Sequence, residues 1–197
     1  VYKNKKYGSI KKDLNTVYFF GGSFMTALLE VYCRGAVYPA YMKNGNACSY
    51  ILPFATEFCK GKGLDIGGFG TSVFPGAQPI NLVIPEDQYD AYKLPDEKYD
   101  FIFSSHTLEH LPDYVRALSY WKEHLKEIDG VLFLYLPHPD MVGWLPQNNK
   151  KHLHMFYPKD MKQLLLDLGF VDVIVSERDL YWSFAAVAFT RNNGWCP

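Results

Sequence analysis

Four apolar runs limit what this chain can fold into. They are "KGLDI" (62–66), "PINLVI" (79–84), "KYDFIFSS" (98–105) and "VLFLYLP" (131–137). A strand with one wet face alternates polar and apolar residues, whereas runs like these are covered on both faces, as in a parallel sheet between helices. Helical patterns fall between and after them. "PDYVRALSYWKEHLKEIDG" repeats apolar residues at Val115, Leu118, Trp121 and Leu125, and is expected to stop at Asp129–Gly130. "PKDMKQLLLDLG" opens on Pro158 and stops at Gly169. "CSYILPFATEFCKG" reads as a short helix closing at Gly61. "VDVIVSER" and "WSFAAVAFTR" are separated only by "DLY", too little for a crossover, so they are expected to pair antiparallel. Upstream, residues 16–32 read as a helix begun or broken at Gly21–Gly22, and residues 35–46 as a loop. The expected architecture is α/β: a mostly parallel sheet with an antiparallel C-terminal strand. Its 197 residues make one domain, with 1–60 an N-terminal helical extension or lid and 61–191 the core.

Composition excludes several functions. Net charge is −1 and the pI is about 6.6, which gives no electrostatic grip on nucleic acid or an anionic membrane. The basic run Lys3–Lys12 is short and terminal, as solvated tails are. The uncharged, apolar-rich run Asn15–Leu29 is too short to span a bilayer. The four cysteines lack knuckle spacing and are too few for a disulfide scaffold, so free thiols and a cytoplasmic setting are expected.

Residues 63–76, "GLDIGGFGTSVFPG", run a strand into three glycines within four positions. Such a turn after a strand is a nucleotide-like signature. A dinucleotide, however, sets its pyrophosphate on the N-terminus of a following helix. Between Gly70 and "PINLVI" there is only "TSVFPGAQ", where a helical crossover needs about 10–12 residues. The helix after the first strand is therefore expected to be shortened or missing. A ligand without phosphates loses little by that. S-adenosylmethionine is such a ligand: glycines allow its amino-acid end to approach the backbone, and Asp65 offers a carboxylate to its ammonium.

The ordered series "DIGGFG", "YDAYKLPDEKYDFIFSSHTLEHLPD" and "HLHMFYPKDMKQLLLDLGF" resembles the short type 11 class I S-adenosylmethionine-dependent methyltransferases over roughly residues 60–190. The resemblance implies a Rossmann-like methyltransferase sheet and S-adenosylmethionine as cofactor. It places Asp65, Gly67, Gly68, Phe69 and Gly70 at the methionine part of the cofactor. Asn81 and Leu82 fall at the ribose, where the family has an acid. Asp90 and Ala91 fall at the adenine, and Ser104, Ser105 and His106 at the carboxyl end of the next strand. The last glycine of the family loop is absent, with Thr71 and Ser72 following.

Methyl transfer is an in-line displacement at an activated carbon, so the protein mainly aligns and desolvates, and a hydroxyl acceptor gains from a general base. His106 and His138 end adjacent parallel strands and are the catalytic candidates, His138 first. His138, Trp144, His152, His154 and Tyr157 are expected to line the acceptor pocket, and His110 to belong to a structural turn. The expected function is methyl transfer to oxygen or nitrogen of a small molecule, a sugar among the candidates. No metal, nucleic-acid or membrane partner is expected. Two alternatives stand beside it. One is a degenerate methyltransferase fold that binds cofactor or a partner. The other is a zinc metallopeptidase, because "HTLEH" (106–110) spells H-x-x-E-H. Against the peptidase, His106 directly follows a strand, Pro112 lies just beyond, and no third ligand stands out.

Overall fold

The computed structural model describes residues 30–33, 36–39, 48–68, 72, 74–81, 89–179 and 181–191. Two compact units divide the chain, residues 1–43 and 44–197. In the first, β1 (Glu30–Cys33) and β2 (Ala36–Pro39) form an antiparallel hairpin. The expected helix over 16–32 therefore gives way at its end to a strand, and the expected loop over 35–46 holds its partner. "EVYC" and "AVYP" are β-branched and aromatic around Arg34–Gly35, so strand propensity prevails there. Residues 16–29 of the expected helix lie outside the described residues.

The second unit is built on a six-stranded sheet. Its strands are β3 (Gly63–Ile66), β4 (Ala77–Ile80), β5 (Phe101–Ser105), β6 (Val131–Pro137), β7 (Val171–Val175) and β8 (Ser183–Phe189). Their order is β4-β3-β5-β6-β8-β7, parallel through β6, with β8 antiparallel to both β6 and β7. This is the predicted mixed sheet. The second strand begins two residues early, at Ala77, and Asn81 stands just past its end.

Alternation along β5 and β6 supplies two dry faces. Phe101, Phe103 and Phe133 point one way and meet Phe74, Phe54 and Phe58. Phe54 and Phe58 come from helix α1 (Cys48–Phe58), which covers that side of β6. Ile102, Leu132 and Leu134 point the other way, into a cluster with Leu118 and Trp121 of helix α2 (Tyr114–His124) and Leu165 of helix α3 (Pro158–Asp167). At about 25 cal/mol per Å² of apolar surface, these double-sided strands form the principal driving force for folding.

Helix α2 starts where Asp113 accepts a hydrogen bond from the Arg116 amide at 3.0 Å, an N-cap. It ends at His124, five residues before the expected Asp129. Leu125 is extended and bridges to Tyr99, which pulls the chain toward the sheet. Val115 is 40% exposed, so Ala117 replaces it in the buried stripe with Leu118 and Trp121. Past the end of helix α3, Gly169 holds a φ of +77°, which favours glycine, and Lys122 donates to the Leu168 and Gly169 carbonyls at 2.8 Å each. No helix among the described residues is long and apolar enough to cross a membrane.

Candidate active site

Strand order reverses between β3 and β5: from β3 the chain steps outward to β4, then returns to the other side of β3 as β5. A crevice at the carboxyl ends of such neighbours is where open α/β sheets bind ligands. Gly67 leaves β3 with φ of +93°, and His106 and Thr107 leave β5. A side chain on Gly67 would place its Cβ 1.9 Å from the Thr107 hydroxyl, and one on Gly68 would place its Cβ 3.0 Å from the Asp65 carboxyl carbon. These two glycines keep the crevice floor at backbone height. Asp65 is 5% exposed and accepts a hydrogen bond from the Ser72 hydroxyl at 3.0 Å. Beneath it, burial first and the Asp65 charge second push the Cys59 thiol pKa up, which makes Cys59 an inert packing residue.

Between β3 and β4 lie residues 67–76, and the described ones include no helix, only the turn at Pro75–Gly76 that returns the chain to Ala77. Phe69, Gly70 and Leu82 lie outside the described residues. Asn81 is 9% exposed at the end of β4. Asp90 caps its own turn, accepting from the Tyr92 amide at 2.6 Å. The Ala91 carbonyl accepts from the Trp121 indole at 2.8 Å, which fastens that turn to α2. Ser104 is 1% exposed and donates to the Ile66 carbonyl at 3.0 Å, so its hydroxyl ties β5 to β3. The half-buried Ser105 takes the Thr107 hydroxyl on its carbonyl.

The histidines separate into groups. His106 holds a left-handed backbone, φ of +48°, uncommon for a residue with a Cβ and frequent where chemistry is placed. Its ring stands edge-on to Trp144 and Tyr135, with centroids at 4.9 and 5.5 Å. His106 Nε2 lies 3.0 Å from Ser183 Oγ, which also reaches the Tyr181 carbonyl at 3.3 Å; where Ser183 gives its proton to that carbonyl, Nε2 donates and Nδ1 carries the lone pair. That atom faces Glu109, not the crevice. His138 Nδ1 accepts from the Asp140 amide at 3.2 Å, leaving Nε2 as a donor in the neutral ring. His152 is buried beside Glu109, and His154 packs on Tyr114 and Phe156 with Nε2 3.3 Å from the Pro112 carbonyl. Tyr157 is 56% exposed. The structure thus brings Trp144, His106 and His152 together and turns His154 toward the start of α2.

Glu109 enters the sequence reading only as the acid of H-x-x-E-H, not among the residues of a methyltransferase site. It is fully buried, and burial pushes its carboxyl up to about 8 against the pull of its own amide. Burial, then His152, then His110 push His106 down to about 3; burial, then His110 push His152 down to about 4, opposed by a hydrogen bond with the Trp144 backbone.

A parallel-then-antiparallel sheet with a glycine-floored crevice at its switch point defines the class I S-adenosylmethionine-dependent methyltransferases. The chain belongs to the methyltransferase domain family, whose model matches residues 43–175. Its fold is similar to that of a SAM-dependent methyltransferase from Archaeoglobus fulgidus, at 16% identity over 72% of this chain and 91% of that one, with a TM-score of 0.54. A SAM-dependent methyltransferase and possible histamine N-methyltransferase from Thermotoga maritima gives 17% identity over 77% and 98%, with a TM-score of 0.53. Phosphoethanolamine N-methyltransferase 2 of Haemonchus contortus, in complex with S-adenosyl-L-methionine, gives 19% over 65% and 38%, with a TM-score of 0.50. No curated protein matches the sequence.

Proposed function

We propose that this protein transfers a methyl group from S-adenosylmethionine to a nitrogen or oxygen of a small molecule, in the crevice over Gly67 and Gly68. The observation that carries the reading is the pair Gly67 and Thr107: a cradle at the switch point that a single Cβ would fill. The residues fit the cofactor. Asp65 would meet its ammonium, Asn81 its ribose, and Asp90 with the Ala91 amide its adenine. When bound, S-adenosylmethionine supplies an electrophilic methyl carbon on a sulfonium.

The protein's part is alignment and exclusion of water. Asp65, Asn81 and Asp90 would hold the donor, and the acceptor would take the methyl carbon on its own lone pair, the carbon–sulfur electrons staying on sulfur; an amine acceptor would then release a proton to solvent, and an ionised oxygen would have none to release. Neither His106 nor His138 presents a ring lone pair to the crevice in its hydrogen-bonded tautomer. His138 Nε2 would donate to the acceptor and hold it, and Trp144 would wall it. This favours an acceptor with its own available lone pair, a neutral amine or an oxygen already ionised, over a neutral sugar hydroxyl. The catalytic core in this reading starts with α1, and the residues before 44 form an extension.

Calorimetry with S-adenosylhomocysteine and NAD tests the site, and labelled methyl transfer to amine, carboxylate and sugar acceptors tests the chemistry. Binding of S-adenosylhomocysteine without NAD binding is expected. Tight NAD binding with no S-adenosylhomocysteine response overturns it. S-adenosylhomocysteine binding with no transfer to any acceptor class favours the binding-module alternative.

A further inference from the structure

We propose that Glu109, His110 and His152 bind a divalent transition-metal ion, zinc by donor set, with His106 as the fourth donor. Three imidazole nitrogens from two distant segments converge on one carboxylate oxygen. Glu109 Oε1 lies 3.7 Å from His110 Nε2, 3.8 Å from His106 Nδ1 and 3.9 Å from His152 Nε2. These separations are too long for hydrogen bonds. These three edges exceed by a few tenths of an ångström those of a tetrahedron with bonds of about 2.0–2.2 Å, which run about 3.3–3.5 Å; His106 stands outside the group that Glu109, His110 and His152 form, so its ring has further to move to become the fourth donor. The Glu109, His110 and His152 ligand atoms all lie within 4.8 Å of one another.

The protons are in the wrong places for a hydrogen-bonded cluster. His110 Nδ1 donates to the Lys151 carbonyl at 2.7 Å, so Nε2 of the neutral ring is bare toward Glu109. His106 meets a hydroxyl, Ser183 Oγ at 3.0 Å, and presents a bare Nδ1 in the tautomer whose Nε2 donates to it. Neither Glu109 oxygen takes a hydrogen bond from another residue, although the side chain is 0% exposed. His110 Nε2 and the Glu109 oxygens therefore face one another as lone pairs, beside the buried His152 ring, an arrangement that a cation at the centre satisfies. A ligating histidine usually gives its other N–H to a carbonyl or similar acceptor, as His110 does here and His106 does in that tautomer. Mixed imidazole and carboxylate donors suit zinc and its neighbours and disfavour magnesium and calcium.

The peptidase reading of H-x-x-E-H does not survive. Its histidines belong on an α-helix with the glutamate as base, whereas Leu108–His110 is a single 3-10 turn and Glu109 sits inside the ring of nitrogens. The third donor comes from the loop before α3. Leu153 and His154 amides already donate to the Glu109 carbonyl at 2.8 and 3.2 Å, so an ion would lock that loop to the turn leaving β5. The role is a positioning one, on the acceptor side of the crevice.

The test uses the full chain without a histidine tag and with no methyl donor, so its outcome is independent of the transferase reading. After chelator dialysis, zinc is restored and counted by elemental analysis, and cobalt(II) is titrated while the visible absorption is read. About one ion per chain, tetrahedral cobalt bands and a melting point that falls with chelator are expected. Ser183→Ala, which removes the partner of His106 Nε2 and leaves every ligand atom in place, should weaken the ion about 10–100-fold, and Glu109→Gln at least as much. Should Glu109→Gln not fold, the wild-type cobalt spectrum and Ser183→Ala still decide. No bound ion, no cobalt bands and an unmoved melting point overturn the proposal in favour of a proton held by the cluster. Wild-type affinity in both variants overturns it in favour of an ion elsewhere.

Discussion

Gly67 leaves β3 with its Cα turned against Thr107, so that a Cβ would stand 1.9 Å from the Thr107 hydroxyl. Gly67→Ala meets two penalties: the clash and a left-handed φ of +93°. Each is of order 1–3 kcal/mol. We expect a loss of about 2–5 kcal/mol in urea unfolding and a weaker response to S-adenosylhomocysteine. Adding Thr107→Ala should recover part of the stability, since it relieves the clash but not the backbone strain. A fully stable Gly67→Ala would show that the turn relaxes freely.

Asp90→Ala should weaken S-adenosylhomocysteine by about 1–3 kcal/mol, the range for a hydrogen bond to a charged group. The turn loses its bond from the Tyr92 amide, worth about 1 kcal/mol of stability, and the fold persists. Wild-type affinity in calorimetry would remove Asp90 from the adenine site.

Trp121→Phe keeps an aromatic ring, deletes the indole donor and, because Trp121 is fully buried, leaves a small cavity whose cost adds to the stability loss alone. The buried Ala91 carbonyl then has lost its partner at 2.8 Å, a cost of about 1–3 kcal/mol. Because that bond fastens the Asp90–Ala91 turn, cofactor affinity should fall with stability. Thermal melts with and without S-adenosylhomocysteine separate the two effects: an unchanged ligand-induced shift would mean the bond is structural only.

Asn81→Asp should tighten the cofactor by about 0.5–1.5 kcal/mol, because a carboxylate accepts from ribose hydroxyls with charge assistance. Asp65 works against this through like-charge repulsion, but the cofactor's sulfonium and ammonium are positive. Calorimetry at one pH and salt reads the difference. If Asn81→Asp and Asn81→Ala are both silent, Asn81 is not at the ribose.

The apolar runs were sufficient to read the sheet, because a strand buried on both faces cannot hide its composition. "VLFLYLP" matches β6 residue for residue, and "WSFAAVAFTR" and "VDVIVSER" pair antiparallel because the link between them is too short for anything else. The ordered motifs gave the family, and the short β3–β4 link was visible as prolines and missing length. Local propensity misplaced what long-range contacts decide. Nothing local ends α2 at His124; Leu125 leaves the helix because Tyr99, far back in the chain, offers it a bridge. Tautomers and convergence were invisible for the same reason. His110 adjoins Glu109 in sequence and His106 stands three residues before it, but their far-side partners are Lys151 and Ser183, and His152 reaches the same oxygen only because the loop before α3 folds back over the turn that leaves β5. A sequence shows which donors a chain owns, but burial and hydrogen-bond partners from distant segments determine which of their lone pairs share one dry pocket.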